Sequence, residues 1–326
     1  MRNAPYDVFP APPDELVQGD PTGVPLVVIV GPTGVGKSDL ALELAKANRG
    51  AIISADSRQI YAGFDIGTAT PSAEELAAVP HDMITCVDPT YTYTVAEYQA
   101  AAREAIAKRR AQGYLPFLVG GTGLYVRAVL DGLTIPPAPP DPAFRASLEG
   151  VPDLHARLAE VDPDSAARLH PNDRVRLVRA LEVHHATGRP IGEFQHTTPC
   201  PYKLLTLGVG APRAYLYERI DARVLAMMAN GFEDEVTALA ARYGWDLPLL
   251  GTLGYAEIGA ALRGELPRDE AIAVMAQHTR NYAKRQLTWF RGDRRVHWLM
   301  RDATRGTADL VQEADALLRR WALAGT

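Results

Sequence analysis

A chain of 326 residues with a net charge of −5 at pH 7 has room for a large core and more than one lobe, and its acidity alone gives no reason to expect a nucleic-acid partner. Its apolar runs fall far short of the roughly 18 residues a membrane helix needs, and its acidic, proline-rich start lacks an apolar signal core, so neither a membrane span nor a secretory signal is expected. Two cysteines, Cys86 and Cys200, lie far apart without metal-ligand spacing, which points to a reducing, cytoplasmic compartment and argues against structural zinc.

In chain order, residues 1–24 read as a mobile tail. Leu26-Val27-Val28-Ile29-Val30 is a continuous β-branched run of the kind buried on both faces of a parallel sheet. Gly31-Pro32-Thr33-Gly34-Val35-Gly36-Lys37-Ser38 follows and fits the phosphate-cradling pattern G-x-x-x-x-G-K-[ST] at every fixed position. Its glycines let backbone N–H groups turn around a polyphosphate, Lys37 adds a point charge, and the Ser38 hydroxyl can reach a magnesium ion. Loops of this type also bind ATP and other nucleotides. Residues 38–46 then read as an amphipathic helix whose positive end faces the anion.

A second strand is predicted at residues 51–56, a third at 115–120 and a fourth at 202–209, with an edge strand at 296–299. Helical patterns lie between them, so the expected class is α/β: a parallel sheet covered by helices, as in P-loop NTPases, with ligands at the carboxyl ends of the strands. The alternation stops at the stiff connector Ile135-Pro136-Pro137-Ala138-Pro139-Pro140. Residues 141–200 read as an all-helical insertion, which leaves 25–140 and 201–326 for the α/β core. From 212 to 262 and from 268 to 291 the patterns are again helical, with Met227, Met228, Phe232, Val236 and Leu239 read as core.

Charge is unevenly spread. Between His278 and Arg295 stand six basic residues, Arg280, Lys284, Arg285, Arg291, Arg294 and Arg295, against Asp293 alone. A solvated helix face is the commonest fate of such a run, and the interleaved Tyr282, Trp289 and Phe290 make it more suggestive of nucleic acid. Arg280, Lys284, Leu287 and Arg291 share one stripe at helical spacing. At the strand ends, Asp56 fits either a general base or magnesium holder, or a turn aspartate. Gly120-Gly121-Thr122-Gly123 is a second glycine-rich turn that can set N–H groups and the Thr122 hydroxyl beside a reacting group.

Taken in order, these segments resemble the tRNA dimethylallyltransferase (isopentenyl-tRNA transferase) family, in its bacterial type without a zinc finger. The resemblance rests on the 31–38 loop, Asp56-Ser57-Arg58-Gln59-Ile60-Tyr61, Asp65-Ile66-Gly67-Thr68-Ala69, Val79-Pro80-His81, Gly120-Gly121-Thr122-Gly123-Leu124-Tyr125, Arg179-Ala180-Leu181-Glu182-Val183, and Lys284-Arg285-Gln286-Leu287-Thr288-Trp289-Phe290-Arg291. It implies transfer of a dimethylallyl group from dimethylallyl diphosphate to the exocyclic N6 amine of the adenine immediately 3′ of the tRNA anticodon, giving N6-isopentenyladenosine. Asp56 is then the general base, with Thr122 beside the reacting groups. The 31–38 loop, Lys37 above all, holds the donor diphosphate with magnesium at Ser38. Ser57, Arg58 and Gln59 lie next to the target nucleotide. Arg145, residues 175–179 including Arg176 and Arg179, residues 251–256 including Gly254 and Tyr255, and Lys284, Arg285, Gln286 and Arg291 face tRNA. A monomer is expected.

Three positions depart from the family pattern: Thr70 stands where lysine is usual, Asp82 where a second histidine is common, and Ala256 where a basic residue is frequent. The rival classes are a nucleotide or small-molecule kinase, a nucleotide-gated RNA-binding switch, and prenylation of free adenine nucleotides. The basic helix and the helical insertion favour tRNA.

Overall fold

The computed structural model describes residues 7–324, which divide into two compact units. One comprises the chain up to Val129 together with Pro201 onward, and the other is Leu130–Cys200. The first unit is built on one sheet of β1 (Gln18–Gly19), β2 (Val24–Val30), β3 (Gly50–Ser54), β4 (His81–Asp82), β5 (Leu115–Gly120), β6 (Tyr202–Gly210) and β7 (Val296–Met300). Its order is β1-β6-β2-β5-β3-β4, with β7 also on β6, and every pair is parallel except β1 on β6.

The apolar run of β2 puts it in the middle, between β5 and β6, where both its faces are covered. Leu26, Val27, Val28 and Ile29 are fully buried. Alternate side chains point to opposite faces. Val27 and Ile29 join Leu205, Leu207 and Phe117 under the helices Lys37–Ala47 and Thr307–Leu323, which contribute Leu40, Leu44, Leu310, Leu318 and Trp321. Trp321 also donates its indole N–H to Leu204 O at 2.8 Å. Helix Val95–Ala111 lies against β2, β3 and β5, and its buried Tyr98 donates to Ser54 O at 2.9 Å.

Three expectations need correction. Residues 1–6 lie outside the described residues, but the rest of the segment read as a mobile tail is structured: Gln18–Gly19 pairs with β6, and Phe9 packs on Trp298 with ring centroids 4.9 Å apart. The second strand ends at Ser54, so Asp56 stands beyond it in the loop. The insertion begins at Leu130 rather than residue 141, because the proline-rich connector folds with it and buries Ala138 in its core.

That second unit packs Leu148, Leu154, Leu158, Leu177, Leu181 and Ile191 from short helices around the longer helix Arg174–Thr187. Aspartate caps at Asp141, Asp153, Asp162 and Asp173 start four of these helices, each carboxylate accepting a backbone N–H inside the first turn. In this core Glu182 has a side chain only 1% exposed. Its carboxylate accepts from Arg145 Nε at 2.7 Å, Arg179 Nη1 at 2.5 Å and the Asp141 amide at 2.8 Å. Burial by itself raises this carboxyl, but the bonds from Arg145, Asp141 and Arg179 outweigh it and hold it at about 2.

Because Glu182 is depressed from its ordinary 4.5, its stabilising contribution is complete above pH 4.5 and is lost as pH falls toward 2. Amide exchange of the Arg174–Thr187 helix, corrected for intrinsic rates, should lose protection over that window. Glu182→Gln should lower it by about 1–3 kcal/mol at neutral pH and flatten the acid dependence. Equal protection in parent and variant at neutral pH would contradict this role.

Candidate active site

Parallel register sets Val30 of β2 beside Gly120 of β5, and Ser54 of β3 beside Val119. The segments leaving these strands, residues 31–38, 55–59 and 121–123, therefore emerge side by side at the carboxyl edge. Backbone bonds tie two of them together: Ala55 N donates to Val119 O at 2.7 Å and Thr122 N to Ala55 O at 3.1 Å. Gly120 permits that approach, since a Cβ there would stand 2.2 Å from Ala55 O. The three segments line one cavity of about 500 Å³.

On one side of the cavity, Gly36 takes a φ of 97° and opens the helix Lys37–Ala47, which has no side-chain N-cap. Its first N–H groups are thus left to an external acceptor. Lys37 Nζ donates to Pro32 O at 2.8 Å. Burial lowers the Lys37 ammonium to about 8; the charge of Asp56 opposes that shift and the charge of Arg223 adds to it. Arg219 and Arg223 also line the cavity, and Arg219 donates to Gly34 O at 2.9 Å. Burial lowers the Arg223 guanidinium too, against the charges of Asp56 and Asp39. Neither arginine was singled out from the sequence. Their four-residue spacing on the helix Arg213–Ala229 was the available signal, since it points both the same way.

Asp56 is half-buried in the cavity wall, and its Oδ1 accepts the Arg58 amide at 2.8 Å. Both readings of this residue therefore have a structural counterpart: one oxygen makes an Asx turn, and the carboxylate still lines the cavity. Thr122 Oγ1 accepts the Ser57 amide at 3.1 Å and lies 3.4 Å from Ser57 Oγ. Gln59 braces another part of the wall, accepting from Ser54 Oγ at 2.9 Å and donating to Thr68 O and Ala69 O at 3.2 and 3.0 Å. Glu235 carries the start of that wall, taking the amides of Asp65, Ile66 and Gly67 at 3.1, 2.6 and 3.2 Å. Thr70 meets Thr68 Oγ1 at 3.1 Å, and Asp82 takes a bidentate pair from Arg109 at 2.6 and 3.0 Å.

Of the residues expected against RNA, some are buried and others are paired within the chain. Tyr255 is buried, its ring against Phe64 and Phe232 and its hydroxyl donating to Glu235 at 2.7 Å. Gly254 is buried beside it at a φ of 89°. Gln286 is 6% exposed and faces inward. Arg145 and Arg179 neutralise Glu182, and Arg176 pairs with Asp173 at 3.4 Å on an exposed face. The basic stripe is interrupted: Leu287 is buried, Arg280 is paired with Asp221, and Arg291 lies 5.4 Å over the Phe9 ring. Lys284, Arg285 and Arg58 are exposed.

A family model described as IPP transferase matches residues 59–293, and one described as isopentenyl transferase matches residues 24–84. Over 305 residues the chain is 48% identical to the tRNA dimethylallyltransferase of Roseiflexus sp. (strain RS-1), spanning 91% of this chain and 99% of that protein. The chain belongs to the tRNA dimethylallyltransferase family. It is accordingly a prenyltransferase enzyme that modifies tRNA. The family enzyme of Moorella thermoacetica is 49% identical over 291 residues, 85% of this chain and 90% of that one. Among solved structures, a tRNA isopentenylpyrophosphate transferase of Bacillus halodurans matches with a TM-score of 0.68 at 39% identity, covering 91% of this chain and 98% of that one. A eukaryotic dimethylallyltransferase acting on tRNA matches with a TM-score of 0.79 at 28% identity, over 91% and 79% of the two chains.

Crowded cations beside an uncapped helix start give the cavity the chemistry to hold an anion such as a polyphosphate. Anion binding raises the depressed Lys37 value of about 8. A diphosphate monoester, itself fully ionised at pH 8, should therefore draw up protons on binding, seen as a binding heat that changes with the buffer's ionisation heat. Arg223→Gln should weaken that binding by roughly 10- to 100-fold, the worth of a charged hydrogen bond. Proton-neutral binding, or an unaffected Arg223→Gln variant, would contradict the arrangement.

Proposed function

We propose that the cavity binds dimethylallyl diphosphate with its diphosphate in the 31–38 loop, among Lys37, Arg219 and Arg223, and presents its first carbon toward Asp56 and Thr122. The acceptor is the N6 amine of the adenine immediately 3′ of the tRNA anticodon. The observation that carries this reading is the convergence of Asp56 and the cationic loop on one cavity.

An adenine amine is a weak nucleophile because its lone pair is delocalised into the ring. As nitrogen bonds the first carbon of the donor, the carbon–oxygen bond breaks and the diphosphate leaves with the electron pair. Asp56 takes the amine proton. Thr122, held against Ser57, orients the reacting groups. Lys37, Arg219, Arg223 and the loop amides stabilise charge as it gathers on the diphosphate. The exposed cations of the same unit, Arg58, Lys284 and Arg285, face the RNA backbone, while the target base leaves its stack to reach the cavity.

The donor set fits magnesium. Ser38 Oγ makes no hydrogen bond among the described residues, and it lines the cavity with the carboxylates of Asp39 and Asp56, an all-oxygen set suited to a hard cation. Magnesium at Ser38 would neutralise diphosphate charge and ease its departure. No helix among the described residues is long and apolar enough to cross a membrane. Cys86 and Cys200 are not joined in a disulfide, which suits a reducing compartment such as the cytoplasm.

Asp56→Asn keeps the oxygen that accepts the Arg58 amide but removes the basic group. Its single-turnover rate on saturating tRNA should fall by roughly 10²–10⁴ with tRNA affinity little changed. Lys37→Ala should abolish transfer in a folded protein. An unimpaired Asp56→Asn rate would move that residue to a structural or magnesium-holding role.

A further inference from the structure

The long helix Arg268–Phe290 presents two chemically different sides within one turn. Lys284 and Arg285 are exposed, whereas the next residue, Gln286, points into the protein. Both ends of its amide are used there: Oε1 accepts the Thr33 amide at 2.8 Å, and Nε2 donates to Gly121 O at 3.0 Å. These partners fix which end is oxygen, since a backbone N–H cannot accept and a carbonyl cannot donate. One side chain thus joins the 31–38 loop to the 121–123 turn.

The fit leaves no slack. A Cβ on Gly121 would stand 2.2 Å from Gln286 Nε2. One turn further along the helix, the Trp289 ring lies over Gly123 so closely that a Cβ there would sit 2.3 Å from the indole. The helix therefore holds the turn that carries Thr122 on both its flanks. Neither bond lies in a strand ladder: the Val30–Gly120 pairing sets where the two loops leave the sheet, and Gln286 joins them beyond it.

We propose that Gln286 is a positioning residue for prenyl transfer: it fixes the donor-holding 31–38 loop against the turn that bears Thr122. This rests on the functional reading above. Because the same rigid helix displays Lys284 and Arg285, the place where RNA docks and the geometry of the cleft are set by one element. Gln286 serves tRNA through that geometry, not by touching it.

Gln286→Met keeps the length and removes both hydrogen bonds, and Gln286→Asn keeps the amide but falls one methylene short. With donor and tRNA saturating, the single-turnover rate of the Met variant should drop by about 10- to 100-fold, the penalty of slight misplacement. Gln286→Asn should be impaired in the same sense. Inorganic diphosphate should bind more weakly to the Met variant, and tRNA affinity should stay within about twofold of the parent, because no phosphate contact is lost. A parental saturated rate overturns the proposal. Weakened tRNA binding with an intact saturated rate also overturns it, making Gln286 an RNA contact. Should both variants fail to fold, amide exchange of the parent decides: protection of the Thr33 amide supports the strut, and free exchange overturns it. A parent that transfers no prenyl group yet shows a protected Thr33 amide and diphosphate affinity lowered by Gln286→Met would refute the functional reading while supporting the strut.

Discussion

The parallel pairing of β2, β3 and β5 is the constraint on which the rest depends. A parallel sheet brings the carboxyl ends of its strands to one edge, and the register here puts Val30, Ser54 and Gly120 at nearly one level. Everything with chemical potential leaves the sheet from that line: the loop with Lys37, the loop with Asp56 and the turn with Thr122. Shifting any pair by one residue would exchange the side chains on the two covered faces, so the packing of Val27, Ile29, Phe117 and Leu205 also holds the site in register. Fold stability and site geometry are thus the same contacts seen from two ends.

Charge is the second theme. Lys37 and Arg223 are crowded into a poorly solvated space, and burial lowers both. An ammonium driven to about 8 in the free protein is a group waiting for an anion. Asp56 supplies part of the countercharge, but a carboxylate assigned to accept a proton cannot also be spent neutralising cations. A diphosphate would satisfy the cations and leave Asp56 to the amine. The helical unit resolves its own buried charge differently: Glu182 is matched by two arginines that reach it from the surface, groups that a reading by resemblance gives to RNA.

Much of this was legible in the residues. The continuous apolar runs of β2, β5 and β6 declared themselves as buried strands, and the glycine pattern at 31–38 declared the turn from β2 into the helix Lys37–Ala47. The two-residue strands β1 and β4 could not, because two residues carry no period. The proline-rich start looked like a tail because nothing in its composition tells of Phe9 meeting Trp298 or Gln18 pairing with Leu204. Resemblance marks a stretch as functional without saying which way each side chain turns. Thus Lys284 and Gln286, two positions apart, share a motif but not a direction, and Tyr255 belongs to the core. Arg219 and Arg223 were hidden for the opposite reason: on a helix read for its apolar face, two arginines look like solvated charge.

The central claim is that one cavity joins a prenyl diphosphate to a tRNA adenine. The most direct measurement offers the parent protein, with magnesium, dimethylallyl diphosphate labelled in its prenyl group, together with tRNA, AMP or ATP in separate reactions. The account predicts label on N6 of the adenine 3′ of the anticodon in tRNA, with diphosphate released in equal amount. Label carried by AMP or ATP as readily as by tRNA, or diphosphate released with no label on adenine, would contradict it.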